Sequence, residues 1–139
     1  MSPLTPPFNS VEPAPADHCL ASELPLLDPS VLRDLKDQVR APLVRDFVRD
    51  YVALWDYRQR RLSAALAEPE GRGEALDAAI SLKVSSAMVG ALRLAFLAGT
   101  LEGQIRELTF PAGKDALAKI TSCGQATIRE LRKQHPEAG

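Results

Sequence analysis

Group transfer on a protein needs a nucleophile and a neighbouring group to take up or stabilise charge, and this chain offers few candidates. Its two histidines are His18 and His135, and its two cysteines are Cys19 and Cys123. His18 lies in a proline-rich stretch and His135 among the last few residues, and neither has a lysine one helical turn further on. Both read as structural or solvated side chains. Ser81, Ser85 and Ser86 carry hydroxyls with no base beside them in sequence; they read as bonding back to helix carbonyls or letting helices approach closely. The cysteines are too few for a disulfide framework and lack metal-ligand spacing. Cys123 falls on a helical stretch and reads as an ordinary packing residue. With no metal cluster and no glycine-rich phosphate loop, no catalytic residue, metal or cofactor is expected, and the chain is read as not an enzyme.

The bulk numbers narrow the classes further. The 139 residues suit one domain with a sizeable core, and 45% hydrophobic with 25% charged residues is ordinary globular composition. A formal net charge of −1 leaves no basic footprint for nucleic acid and no attraction to an anionic membrane. No apolar run approaches a membrane span, and the opening Met1-Ser2-Pro3-Leu4-Thr5-Pro6-Pro7 lacks the basic flank and apolar block of a secretory signal. The expected location is cytoplasmic.

Any functional side chain here must be positioned by helices. Residues 1–27 hold Pro3, Pro6, Pro7, Pro13, Pro15 and Pro25 and are expected to form an extended arm, dotted with Leu4, Phe8, Val11, Leu20, Leu24, Leu26 and Leu27. Asp28-Pro29 reads as an N-cap followed by proline at the first helical position, opening a short helix to about Gln38 with Val31, Leu32 and Leu35 on one side. A long helix starts near Pro42, with Val44, Phe47, Val48, Tyr51, Leu54, Trp55, Leu62, Ala65 and Leu66 at three- and four-residue spacing. Glu68-Pro69-Glu70-Gly71-Arg72-Gly73 breaks it. A third helix is expected from about Glu74 to Met88, with a bend at Gly90. A fourth carries Leu94, Leu97, Leu101, Ile105 and Leu108 inward, and Thr109-Phe110-Pro111 turns into a last helix over about 112–133 with Leu117, Ile120, Gly124, Thr127 or Ile128, and Leu131 inward. Short links between long amphipathic helices imply antiparallel neighbours. The expected fold is all-α, an up-down antiparallel four-helix bundle over 28–133, with an extra short N-terminal helix, the arm 1–27 and a tail at 134–139.

The third helix is the unusual one. At 100° per residue, Ala75, Ala78, Leu82, Ser85 and Val89, with Ala79 and Ser86 beside them, form a bundle-facing stripe. Leu76, Ile80, Val84, Ala87 and Met88 lie opposite, where a surface helix is normally polar. Ile80, Val84 and Met88 are spaced i, i+4, i+8 and touch in sequence along the helix. Three such side chains in a row make a patch that a monomer usually covers. Phe96 on the next helix is placed to extend it, and Gly99 and Gly103 would admit another backbone.

The segment Ala79-Ile80-Ser81-Leu82-Lys83-Val84-Ser85-Ser86-Ala87-Met88-Val89-Gly90-Ala91 resembles the core motif of histidine phosphotransfer (HPt) domains, which runs roughly Ala-His-x-Leu-Lys-Gly-Ser-Ser-x-Asn-hydrophobic-Gly-Ala. The resemblance extends from Leu27-Asp28-Pro29, through Phe47, Tyr51, Leu54, Leu62 and Ala65-Leu66, to Leu92-Arg93-Leu94-Ala95 and Leu97 through Leu101-Glu102. In that family the histidine stands exposed on a bundle helix, where a receiver domain docks. The lysine three residues on lends positive charge to the phosphoryl group, and the following glycine leaves room for the incoming domain. Here Lys83 is kept, while Ile80, Val84 and Met88 replace the histidine, glycine and asparagine.

Isoleucine has no nucleophilic nitrogen, so the resemblance implies a phosphorelay-type signalling protein that works by binding. The expected interface is Leu76, Ile80, Lys83, Val84, Ala87, Met88 and Phe96, with Lys83 read first as a solvated lysine and second as a contact for an acidic partner. A receiver domain, a sensor kinase, a second copy in a homodimer, or the chain's own arm are the open occupants. A helical adaptor unrelated to phosphorelay, or transfer through another histidine, are the alternative functions.

Overall fold

The computed structural model describes residues 23–107 and 114–136. Leu4, Phe8, Val11, His18, Cys19, Leu20, Leu108 and the Thr109-Phe110-Pro111 turn therefore lie outside the described residues. Among the described residues five helices follow in order: α1 Pro29–Gln38, α2 Ala41–Ala67, α3 Arg72–Met88, α4 Leu92–Arg106 and α5 Lys114–Gln134. No strand occurs among the described residues. α3 packs against α2 and α4, α5 packs against α4 and α2, and α1 leans on α2. The four long helices thus close a bundle, and α1 is the extra short helix.

The start of α1 is set by its cap. Asp28 is extended, its Oδ1 accepts from the Ser30 amide at 3.0 Å and from the Ser30 hydroxyl at 2.7 Å, and Pro29 follows. These two hydrogen bonds hold the Asp28 carboxyl below its ordinary range. At the α3–α4 turn Gly90 has a φ of 85°, a left-handed conformation that ordinary side chains resist. Its carbonyl accepts from the Asp28 amide at 2.8 Å, and a Cβ at Gly90 would run into the Asp28 carbonyl. Pro25 and Leu24 offer their carbonyls to the Arg93 amide at 3.1 Å and to Arg93 Nε at 2.9 Å. Residues 24–28 are thereby clamped across the α3–α4 junction, and Leu27 packs against the core.

The core runs through all five helices. Val44, Val48, Tyr51, Val52, Trp55, Leu62, Ala65 and Leu66 of α2 are buried, together with Leu94, Ala98, Leu101 and Ile105 of α4 and Ile120, Ile128 and Leu131 of α5. Leu54, a member of the same three- and four-residue spacing, is 41% exposed. It sits beyond the edge of the stripe that Tyr51, Trp55 and Leu62 occupy. On the opposite wall Trp55 lies against the backbone of α5, where a Cβ on Gly124 would overlap the indole ring.

Candidate functional site

α3 carries apolar side chains on its outer side as well as its inner side, and burial sorts its residues. Ala75, Ala78, Ala79, Leu82 and Ser86 face inward. Ser85, expected in that stripe, is only half-buried. Small side chains let α2 and α4 approach on either side. The fully buried Ser86 hydroxyl lies 2.6 Å from Tyr51 OH, so it bonds across to α2 and not back to its own helix. Burial pushes the Tyr51 phenol up to about 12, with the Ser86 contact partly opposing. Ser81 likewise looks outward to α2, its Oγ accepting from Arg58 Nη1 at 2.8 Å.

The outward side of α3 carries the residues expected to form an interface, but not evenly. Val84 and Met88 are 49% and 46% exposed, and Ala87 is exposed beside them. Ile80 is half-buried, so the open apolar strip has two large side chains where three were expected. Leu76 is half-buried and packs against the core, because α3 turns that flank into the bundle. Phe96 is half-buried on α4. The strip continues where the sequence did not place it. Leu54 and the 57% exposed Tyr57 line a cleft between α2 and α3 with Arg58, Arg61, Ala78 and Ser81. At the other end Met88 borders a hollow shared with Val31, Asp34, Leu35 and Gln38. Leu54 and Tyr57 are three residues apart on one helical face; that spacing was readable, but only the packing shows which way the face turns.

Lys83 keeps a side chain that is 40% exposed and is ion-paired within the bundle. Its Nζ lies 2.6 Å from Glu102 Oε1 on α4, and Arg106 Nη2 reaches Glu102 Oε2 at 3.0 Å. The hydrogen bond from Lys83 is the main cause holding the Glu102 carboxyl below its ordinary range. The stem of Lys83 crosses Gly99, where a Cβ would meet its Cδ at 3.4 Å. That is an ordinary van der Waals distance, so Lys83 packs over Gly99 without requiring a glycine there, while Gly103 faces open space.

The remaining chemistry-bearing residues stand apart from this face. Cys123 is half-buried against the core, with burial raising its thiol, and Thr127 Oγ1 bonds to its carbonyl at 2.8 Å. The His135 amide continues α5 by bonding to the Leu131 carbonyl at 2.8 Å. Among the described residues no group of three or more His, Cys, Asp or Glu side chains is placed to hold a metal ion, and no helix is long and apolar enough to cross a membrane.

A short helix leaning on four antiparallel helices, with the motif on the second helix of the four and its edge turned outward, is the HPt-like bundle. The crystal structure of histidine-containing phosphotransfer protein B (HptB) from Pseudomonas aeruginosa PAO1 has the same fold: TM-score 0.70, 22% sequence identity, covering 81% of this chain and 96% of that one. No protein-family model matches the sequence, and no curated protein matches it.

Proposed function

We propose that this chain is a phosphorelay-related HPt-like protein that binds a signalling partner through the outward face of α3 and carries no phosphoryl group. The observation that carries the reading is the state of that face, with exposed Val84 and Met88 beside Ile80 in an HPt-like fold, and the motif resemblance, which puts Ile80 at the acceptor position, supports it. Lys83, the residue that would attend a phosphoryl group, is already engaged by Glu102. Burying an apolar side chain of this size is worth about 1.5–3 kcal/mol, so two of them with Leu54 and Tyr57 suffice to anchor a contact. The partner class is a receiver domain or the kinase that feeds one, with a second copy of the chain as the competing occupant.

The test is incubation with phosphorylated receiver domains, following both complex formation and the fate of the phosphoryl group. Binding without transfer is expected, and Val84→Asp should weaken that binding by at least about tenfold. Acid-labile phosphate on the chain would sink the reading, as would a Val84→Asp variant that binds undiminished.

A further inference from the structure

The cleft between α2 and α3 holds a cation without a counter-ion. Arg61 at its rim is matched by Glu74, with Nε 2.5 Å from Oε2. Arg58, deeper and half-buried, forms no ion pair among the described residues. A guanidinium has five N–H donors. One of these, on Nη1, goes to the neutral Ser81 hydroxyl, and the buried Nε finds no acceptor. Taking a charge partly out of water without a partner costs free energy, and that cost falls when a carboxylate arrives. The guanidinium fork accepts a carboxylate in paired hydrogen bonds stronger than neutral ones.

The walls indicate what kind of carboxylate fits. The cleft has a volume of about 140 Å³ and is lined by Leu54, Tyr57 and Ala78 as well as the polar groups. That is room for one side chain, and too little for a nucleotide-sized ligand. Ser81 is the next residue after Ile80, so the cleft opens beside the face already described. An inorganic anion would leave Leu54 and Tyr57 wet; an acidic side chain on an apolar protein surface would cover them and dry the ion pair.

We propose that the cleft lined by Leu54, Tyr57, Arg58 and Ser81 is an anchor for an aspartate or glutamate side chain projecting from an apolar patch of the docking protein. This rests on the reading of the α3 face as a docking surface and adds the chemistry of the partner. It also gives the face a fixed point: the apolar strip from Val84 to Met88 sets area, and Arg58 sets register.

Isotope-labelled full-length protein titrated with phenylpropionate, phenylpropanol and inorganic phosphate tests it without a partner in hand. Phenylpropionate is expected to shift the Arg58 Nε–H, Ser81 and Leu54 resonances saturably, at least about tenfold more tightly than the other two. Arg58→Gln should remove that preference, and Arg58→Lys, which keeps charge but loses the fork, should keep only part of it. Equal binding of phenylpropanol would make the cleft merely apolar, and equal binding of phosphate would make it a small-anion site; either overturns the proposal, as does absence of any shift. The three ligands discriminate on the unsubstituted protein, so a variant that fails to fold leaves the result standing. A chain that binds no receiver domain yet shows the phenylpropionate preference would lose the docking partner and keep the anchor.

Discussion

Lys83 is committed to a side chain on the neighbouring helix. Its ammonium is held by Glu102, which is 13% exposed and also bound by Arg106. The positive charge is spent within the bundle, tying α3 to α4. Glu102 consequently favours its ionised form in the folded state. A carboxyl whose folded value is depressed contributes stability that is present above its unfolded value and lost as pH falls through the folded one. The Glu102 carboxyl is therefore expected to titrate below the ordinary 4.5, followed by its carbon resonance, and Lys83→Met should move that midpoint upward. A midpoint indifferent to Lys83 would show the pair to be incidental. That Lys83 exists on an outer flank is plain from the sequence; that Glu102 lies across from it is not, because pairing depends on the register of two helices separated by a turn.

At the scale of elements the helices were largely legible, and their contacts were not. Asp28-Pro29 announces α1, and the three- and four-residue spacing of Val44, Val48, Tyr51 and Trp55 announces α2, since both signals are local. Leu54 belongs to the same spacing yet is exposed, because periodicity defines a face without fixing its width. Ser81 and Ser86 were read as bonding back to helix carbonyls or letting helices approach closely, and both reach across to α2, to Arg58 and Tyr51. The α2–α5 contact offers a sharp test. Alanine in place of Gly124 would gain about 1 kcal/mol in helix propensity. Its Cβ, however, would overlap the Trp55 ring, which is 5% exposed and has nowhere to retreat. Overpacking of this kind costs about 1–3 kcal/mol or more. Gly124→Ala is expected to be net destabilising by about 1–2 kcal/mol in urea unfolding, and a stabilised variant would mean that the ring can move.

Among the described residues, the chain that enters α1 is tied to one end of the bundle. At the α3–α4 end the incoming chain is stitched down by Asp28 to Gly90 and by Leu24 and Pro25 to Arg93. This clamp closes the core beneath Leu27 and sets α1 beside Met88. A chain beginning at Ser30, compared with one beginning at Glu23, loses the helix cap and the Leu27 contact together. The expected loss is about 2–4 kcal/mol, read as a lower urea midpoint at unchanged slope. Equal midpoints would show the clamp to be ornamental. On the incoming chain the clamp consists of backbone carbonyls and an amide of residues that are not helical, and Leu27 between them packs against the core.

Trp55 on α2 and Gly124 on α5 are far apart in sequence and compete for one volume. In evolutionary terms they are a single variable: while the indole stays, position 124 has no freedom, and a lineage that shrinks residue 55 releases position 124 at the same time. Drift on the far side of the bundle is therefore expected to be paired and slow. Exposed Val84, Ala87 and Met88 on the α3 face meet no such reciprocal constraint from within the fold, so these residues can change one by one. A scaffold restrained on one wall and free on the other can exchange one surface chemistry for another without losing its shape.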